Sequence, residues 1–92
     1  MYSISKTGQF KKDYKLIQKR GYNMGELIKV FKLLATGEKL PAKYKEHPLK
    51  MNYKNHIDCH IEPDWLLIFM RNNAEKQITL VRTGTHSDLF KK

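Results

Sequence analysis

Apolar residues recur with a helical period in the first part of the chain. Phe10, Tyr14 and Ile17 follow one another at i, i+4 and i+7, which is the spacing of one helix face. Thr7 before them suits an N-cap, and Gly21 after them suits a left-handed helix stop. The pattern therefore predicts a helix between these two residues.

A second helical pattern follows at once. Asn23 can cap its start, and Glu26 three residues later gives the spacing of a capping box. The apolar stripe of this segment consists of Leu27, Val30, Phe31 and Leu34, and Thr36-Gly37 ends it. Because only a short turn separates the two segments, they are predicted to form a helical hairpin.

The period changes to two in the second half of the chain. One predicted strand alternates three apolar residues with three polar ones, namely Ile57, Cys59 and Ile61 with His56, Asp58 and His60. The almost wholly apolar stretch 65–70 is typical of a central strand covered on both faces, and residues 77–82 form a third candidate. The predicted breaks are Glu62-Pro63-Asp64, Asn72-Asn73 and Gly84.

Two remaining segments complete the order of elements. Residues 1–5 alternate weakly and predict a short first strand, whereas residues 38–48 contain Pro41 and Pro48, lack a period and predict a long basic loop. The order β-α-α-β-β-β predicts an α+β fold, with a helical hairpin packed on a small, largely antiparallel sheet. The 92 residues are expected to form a single domain, 1–92.

The charge of the chain narrows the class of partner. Eighteen Lys and Arg against nine Asp and Glu give a net charge of +9, an excess that is typical of proteins that bind polyanions. The lysines of the first predicted helix are expected to contact RNA, and they are Lys11, Lys12, Lys15 and Lys19. A merely soluble basic surface is the plainer interpretation of the same charge.

The sequence also indicates the cellular compartment in which the protein is expected. It contains no run of 18 apolar residues, so no membrane span is expected. Its first residues lack the apolar segment of a secretory signal, and Cys59 has no second cysteine to pair with. A cytoplasmic protein is therefore expected, with Cys59 as a small buried apolar residue rather than a nucleophile.

Five polar residues are candidates for catalysis, and they are His47, His60, Asp64, Arg82 and His86. In a three-stranded meander, the turn between the first two strands and the exit of the third strand lie at the same end of the sheet. The predicted topology therefore brings the last four of these residues together.

These residue types suit cleavage of RNA by its own ribose 2′-hydroxyl. That reaction needs a base for the 2′ proton, an acid for the leaving 5′ oxygen and a cation beside the phosphorane. Histidine serves in either proton role near neutral pH, and an arginine fork binds two phosphate oxygens at once. Trp65 is expected to offer a face on which an unpaired base stacks.

Three segments carry a resemblance to a known family. They are Glu46-His47-Pro48-Leu49, the stretch CHIEPDWLLI from Cys59 to Ile68, and the stretch RTGTHSDLF from Arg82 to Phe90. In this order they resemble the signature segments of YafQ-type toxins of the RelE superfamily. The resemblance implies a RelE-like fold and an endoribonuclease that cleaves messenger RNA on the ribosome, with no cofactor and no metal. It also implies a cognate antitoxin of the DinJ or RelB kind, in a hetero-oligomeric complex that binds DNA through the antitoxin.

The resemblance also implies roles for individual residues. By position, the acid–base group of the family corresponds to His47, His60, Asp64 and His86, and its phosphate-stabilising arginine corresponds to Arg82. Two aromatic positions expected to lie near the RNA correspond to Trp65 and Phe90. His86 is the expected acid, and His60 or His47 is the expected base.

Three positions depart from the family pattern. Where the family has glycine, glycine and arginine, this chain has Met51, Asn55 and Ile57. Glycine permits tight backbone paths, so a different path is expected between Met51 and Asn55. Without an arginine at position 57, the candidates for binding the same phosphate are Lys50, Lys54 and His56.

Other interpretations stay open on the sequence alone. Each histidine has a structural alternative, such as a bond from His47 to the backbone of its own loop. A zinc site built from His56, Cys59, His60 and His86 is disfavoured because Cys59 opposes the histidines on the predicted strand. The functional alternatives are a non-enzymatic ParE-like toxin that inhibits DNA gyrase and a nucleic-acid-binding regulator.

Overall fold

The computed structural model describes residues 1–50 and 53–90. Their elements are β1 (Ser3–Lys6), α1 (Gly8–Lys19), α2 (Met24–Leu34), a 3-10 turn (Ala42–Tyr44), β2 (His47–Pro48), β3 (Ile57–Glu62), β4 (Trp65–Asn72), β5 (Gln77–Gly84) and α3 (His86–Phe90). The predicted α+β fold, with a helical hairpin on a mostly antiparallel sheet, is confirmed. The sequence pattern does not predict the 3-10 turn, β2 or α3.

The sheet has the strand order β1-β5-β4-β3-β2. The first strand pairs parallel with β5, and the other neighbours pair antiparallel. The second strand lies inside the segment predicted to be a loop, because a two-residue strand is too short to show a period. This small strand sets His47 opposite Asp58, so it brings the 38–48 segment to the sheet.

Helix α1 begins and ends where the sequence predicts. The Thr7 hydroxyl oxygen accepts a hydrogen bond from the Phe10 amide at 3.0 Å, and Gly21 has a φ of 82°, as a left-handed stop requires. Phe10 and Ile17 are buried, and Tyr14 packs beside them half-buried. The predicted apolar face therefore packs on the sheet.

Helix α2 begins as predicted but without the predicted capping box. The Asn23 side chain accepts a hydrogen bond from the Gly25 amide at 3.1 Å. The carboxylate of Glu26 does not return to the cap, because it pairs with Lys29 at 3.1 Å on the exposed side of the helix. No helix in the described part of the chain is long and apolar enough to cross a membrane.

The two faces of the sheet carry different hydrophobic clusters. The larger cluster joins the helical hairpin to one face, and its sheet residues include Cys59, Ile61, Trp65, Leu67, Phe69, Ile78 and Leu80. The smaller cluster lies around Leu66, Ile68 and Leu89. Because side chains alternate along a strand, the residues between the large-cluster positions of β3 face away from the hairpin, and two of them are Asp58 and His60.

Candidate active site

The short strand β2 positions His47. Its Nε2 lies 3.4 Å from Asp58 Oδ2 across the strand pair, and its Nδ1 lies 2.9 Å from the Lys45 carbonyl oxygen. Lys45 has a left-handed φ of 51°, which turns this carbonyl towards the ring. Since a carbonyl only accepts, Nδ1 carries a hydrogen, and Nε2 faces the Asp58 carboxyl group.

His60 occupies the middle of a row of three imidazole rings. Its ring centroid lies 6.3 Å from that of His47 and 5.6 Å from that of His86. Its Nε2 lies 3.9 Å from Asp58 Oδ2. The side chains of His47, His60 and His86 are 49%, 23% and 54% exposed, so all three rings are accessible to a large substrate.

Asp64 fixes the orientation of His86. Its Oδ1 accepts the main-chain N–H of His86 at 3.0 Å and lies 2.5 Å from the ring Nδ1. The backbone hydrogen bond, followed by the ring hydrogen bond, lowers the pKa of Asp64, so it is a carboxylate at neutral pH. The ring therefore carries a hydrogen on Nδ1, and its Nε2 is left for chemistry.

The first turn of α3 holds His86 in place. The Thr85 hydroxyl oxygen accepts from the Asp88 amide, and the Asp88 carboxylate accepts from the Thr85 amide at 3.0 Å. Arg20 binds Asp88 through two N–H groups, and this hydrogen bonding is the main reason that the pKa of Asp88 is lowered to about 2. A Cβ on Gly84 would lie 2.9 Å from this carboxylate, so the turn is packed tightly.

Asp58 belongs to the cluster, although it is not among the site residues predicted from the sequence. Its side chain is buried, and among the described residues its Oδ1 has no hydrogen-bond partner. Burial raises the pKa of Asp58, against the opposing charges of His47, His60 and His86. The signal in the sequence is a polar residue between two apolar ones on β3, which by itself indicates only a polar strand face.

Arg82 lies two strands away from Asp58. The register runs from Asp58 to Ile68 and from Ile68 to Arg82, so the two backbones are about 10 Å apart. Asp13 on α1 accepts from Nε and Nη2 of Arg82, each at 3.0 Å. This ion pair raises the pKa of Arg82, and both N–H groups of Nη1 stay free of Asp13.

The end of strand β1 explains the position of Asp13. The strand pairs with β5 only as far as Leu80, so the Thr83 amide beyond it faces the hairpin without a strand neighbour. Asp13 is buried and accepts this amide hydrogen at 3.2 Å as well as the arginine. One carboxylate thus satisfies the end of β5 and orients the arginine.

All three arginines of the chain are engaged in this way. Arg20 pairs with Asp88, Arg71 pairs with Glu46, and Arg82 pairs with Asp13, at 2.7, 2.9 and 3.0 Å. The Glu46 pair also anchors the loop that precedes β2, because the same carboxylate accepts the Leu40 amide. Arginine therefore serves mainly to tie elements together inside this fold.

The interpretation of Trp65 as a stacking platform is wrong. The side chain is 1% exposed, its ring packs edge-on against Tyr22 at 5.0 Å, and its Nε1 donates to the Thr83 hydroxyl at 2.9 Å. The ring lies on the hairpin side of the sheet, where no base can reach either face. It contributes to the core beneath the site.

The other predicted RNA contacts are placed as follows. Phe90 is half-buried, and its ring lies 6.0 Å from that of Tyr53. The lysines predicted to contact RNA are exposed, and they are Lys11, Lys12, Lys15, Lys19, Lys50 and Lys54. Their contact with RNA stays a prediction.

Two of the three positions that depart from the family pattern have clear structural roles. Asn55 has a φ of 69°, so asparagine adopts the left-handed conformation that glycine would favour. Ile57 packs against the large hydrophobic cluster instead of facing a phosphate. Met51 lies outside the described residues.

A zinc site that includes Cys59 does not fit this geometry. Cys59 is fully buried in the large cluster, whereas His60 lies on the other face of the sheet. Burial raises the pKa of the Cys59 thiol, which keeps it protonated. Within residues 1–50 and 53–90, no three His, Cys, Asp or Glu side chains are arranged to hold a metal ion.

The fold and the cluster define a class of protein, namely a basic α+β domain with a helical hairpin on one sheet face and a histidine–aspartate cluster on the other. Residues 2–91 match the family described as bacterial toxin of type II toxin–antitoxin system, YafQ. A curated mRNA interferase toxin YafQ from Escherichia coli (strain B / BL21-DE3) is 46% identical, over 95% of this chain and 94% of its own length.

Two solved structures have nearly the same fold. A chain of the crystal structure of the E. coli DinJ-YafQ complex has a TM-score of 0.89 at 44% identity, covering 98% of this chain and 99% of that chain. A metal-bound toxin from Helicobacter pylori has a TM-score of 0.89 at 42% identity, covering 98% and 100%. This chain belongs to the YafQ family of bacterial toxins.

Proposed function

We propose that this chain is an mRNA interferase that cleaves messenger RNA on the ribosome, in the cytoplasm, by acid–base catalysis without a metal ion. The observation that carries the proposal is the row of three accessible imidazole rings, each with a carboxylate nearby. A non-enzymatic toxin of the ParE type has no use for such a row. The name of the E. coli relative, an mRNA interferase, supports the same activity.

His86 is the acid in the proposed reaction. Asp64 holds its Nδ1, so Nε2 delivers a proton to the leaving 5′ oxygen. His60 is the base that takes the 2′-hydroxyl proton, with His47 as the alternative. Asp58 lies within ion-pair distance of the His47 and His60 rings. Its buried carboxyl group exchanges a proton with His47 in the proposed reaction.

Arg82 is the cation beside the phosphorane. Its Nε and Nη2 are held by Asp13, which leaves Nη1 to donate to a phosphate oxygen. Because the guanidinium is oriented before the RNA arrives, no ordering is needed in the transition state. Reaching the phosphate requires RNA that spans from the histidine row to the next pair of strands, as a phosphodiester with its flanking sugars does.

The ribosome is the proposed source of the bound substrate. The exposed lysines of α1 are expected to contact ribosomal RNA, whereas the histidine row contacts the messenger. Arg20, at the end of the same helix, binds Asp88, so the lysines are expected to carry most of this contact. Binding therefore depends on lysine, and chemistry depends on histidine and arginine.

The proposed inhibitor is a cognate antitoxin of the DinJ or RelB kind. The E. coli relative is found in a DinJ-YafQ complex, and a net charge of +9 favours an acidic partner. We expect the antitoxin to cover the histidine face and displace Phe90 or the loop near His47, in a hetero-oligomer that binds DNA through the antitoxin. Coexpression should restore growth that the toxin alone arrests.

The decisive experiment adds the purified protein to translating ribosomes and maps the ends of the cut messenger. The expected ends are a 5′-hydroxyl and a 2′,3′-cyclic phosphate or its 3′-phosphate, and a 2′-deoxy substitution at the cut site should block cleavage. Ends bearing a 5′-phosphate, or activity that disappears on adding a chelator, would contradict the mechanism. Inhibition of DNA gyrase with intact messenger would favour the ParE-like alternative.

A further inference from the structure

A recess on the hairpin side of the molecule is separate from the histidine row. It has a volume of about 320 Å³ and is lined by Lys6, Phe10, Lys11, Tyr14 and Lys15. We name it the lysine recess. Its volume is at the lower end of the roughly 300–1,000 Å³ that ligand pockets occupy, so it fits a ligand of the size of one nucleotide.

The walls of the recess combine two kinds of group. Phe10 and Tyr14 form an aromatic pair with ring centroids 6.2 Å apart, and Tyr14 is only half-buried. Lys6 at the end of β1 and two lysines one helical turn apart surround this pair. Phe10 is fully buried, so Tyr14 offers the accessible ring, and one aromatic face among cations is complementary to a nucleobase with its phosphates.

No carboxylate lines the recess in the part of the chain that the structure describes. The acidic residue of α1 is Asp13, which is buried and bonded to Arg82 and Thr83 on the other side of the helix. The exposed surface of α1 near the recess therefore has a single sign of charge. Such a surface attracts a polyanion and gains little from a neutral ligand.

The chemistry of the recess favours RNA over an acidic peptide. The recess lacks the arginine fork, which binds carboxylate and phosphate alike, because all three arginines of this chain bind carboxylates elsewhere in the fold. Lysine binds phosphate as a point charge. The helix backbone also bonds to itself, so it offers no edge with which an extended peptide could pair.

We propose that the lysine recess binds one unpaired nucleotide of RNA, with its base stacked on Tyr14 and its phosphates held by Lys6, Lys11 and Lys15. The proposal rests on the proposed function only in identifying this RNA as ribosomal. The lysine contact predicted from the sequence is electrostatic alone. The proposal adds a defined site for a base that is turned out of its RNA loop. The bases of RNA loops are recognised in this way because their faces are exposed.

The test titrates the 15N-labelled protein with a short 2′-O-methyl oligouridylate, which cannot be cleaved, and with an abasic oligomer of the same length. Amide shifts of α1 around Tyr14 are expected with the first oligomer and smaller ones with the second. Base stacking should make the oligouridylate bind about 5- to 150-fold more tightly than the abasic oligomer. Tyr14→Leu should remove this difference in affinity, whereas Tyr14→Phe should retain it. Lys11→Gln with Lys15→Gln should flatten the log–log salt slope by about 0.7 for each phosphate that is no longer neutralised.

A matched control removes the same charge elsewhere. Lys32→Gln with Lys76→Gln changes two exposed lysines, one on α2 and one in the turn between β4 and β5, and it should leave the α1 shifts unchanged. Shifts confined to the histidine row, equal binding of the two oligomers, or binding of an acidic peptide in place of RNA would each overturn the proposal.

Messenger cleavage separates this inference from the proposed function. If the wild-type protein cuts messenger on ribosomes and the Tyr14→Leu protein does so equally well at limiting ribosome, the inferred ribosomal role fails while the nuclease stands. If the wild-type protein cuts nothing but still binds the oligouridylate at α1, the nuclease fails while the recess stands.

Discussion

The two faces of the sheet differ in the side chains that they carry and in how far their polar groups are paired. On the hairpin face, Trp65 donates to Thr83, and the aromatic and aliphatic side chains fill one buried cluster. On the histidine face, a buried carboxylate oxygen of Asp58 has no partner among the described residues, and three ionisable rings lie close together. Stability is therefore concentrated on one face, so that the other can hold groups that folding alone would not favour.

His86→Ala is expected to have the largest effect on cleavage, because it removes the proposed general acid. The change acts on the histidine face alone. Loss of a general acid should slow the chemical step by about 10²–10⁴-fold, measured as single-turnover cleavage at saturating ribosome. The side chain is half exposed, so the free energy of unfolding should change little. A large loss of stability instead would show that the two faces are not independent.

Asp13→Ala tests the junction between the faces. It removes the carboxylate that binds Arg82 and the end of β5, and leaving the buried Thr83 amide without its partner costs about 1–3 kcal/mol. Urea unfolding measures this cost, and cleavage should fall as well because Arg82 is no longer oriented. Glu26→Ala is the control, since it breaks only the exposed pair with Lys29 and should cost less than about 1 kcal/mol.

Asp58→Asn should change the pH dependence of stability more than stability itself. Burial raises the pKa of Asp58 above its ordinary value of 3.8, so the folded chain binds this proton more tightly than the unfolded chain does. Stability from this group is therefore full below 3.8 and declines as pH rises through the raised pKa. The asparagine variant should lack that decline, which thermal melts across the acid range measure.

Asp88 is expected to give stability the opposite dependence on pH. Because its pKa is lowered to about 2, its contribution is present above its ordinary 3.8 and disappears as pH falls towards 2. Asp88→Asn should remove this acid-side loss and leave the decline caused by Asp58. If both variants altered the same limb of the curve, the assignment of the two carboxylates would be wrong.

His56→Ala is the smallest expected effect. His56 bonds to the Lys54 carbonyl and packs edge-on against Tyr53, outside the row of three rings. Cleavage should stay within a few-fold of wild type in the same single-turnover measurement. A loss comparable to that of His86→Ala would extend the catalytic cluster to this loop.

The hairpin and strand β3 are predictable from the sequence because each shows a period, and β4 is predictable because its apolar run suits a central strand. The meeting of His60, Asp64 and His86 is predictable as well, since it follows from the meander. The position of His47 beside Asp58 is not, because that contact depends on a strand of two residues.

Contacts between distant segments account for the other differences. Pattern alone does not show that Asp13 on α1 binds Arg82, 69 residues away. The position of Trp65 beside Asp64 suggests a place near RNA. Strand alternation instead turns its ring towards the hairpin, where Tyr22 and Thr83 enclose it.

The pairing of every arginine has a consequence for the covalent chemistry of the surface. With Arg20, Arg71 and Arg82 paired to carboxylates, most of the outward positive charge is carried by primary amines. An amine-selective acylating reagent would therefore neutralise the outer surface of the protein while leaving its guanidinium pairs intact. Attraction to polyanions and integrity of the fold thus reside in two different functional groups and can be removed separately.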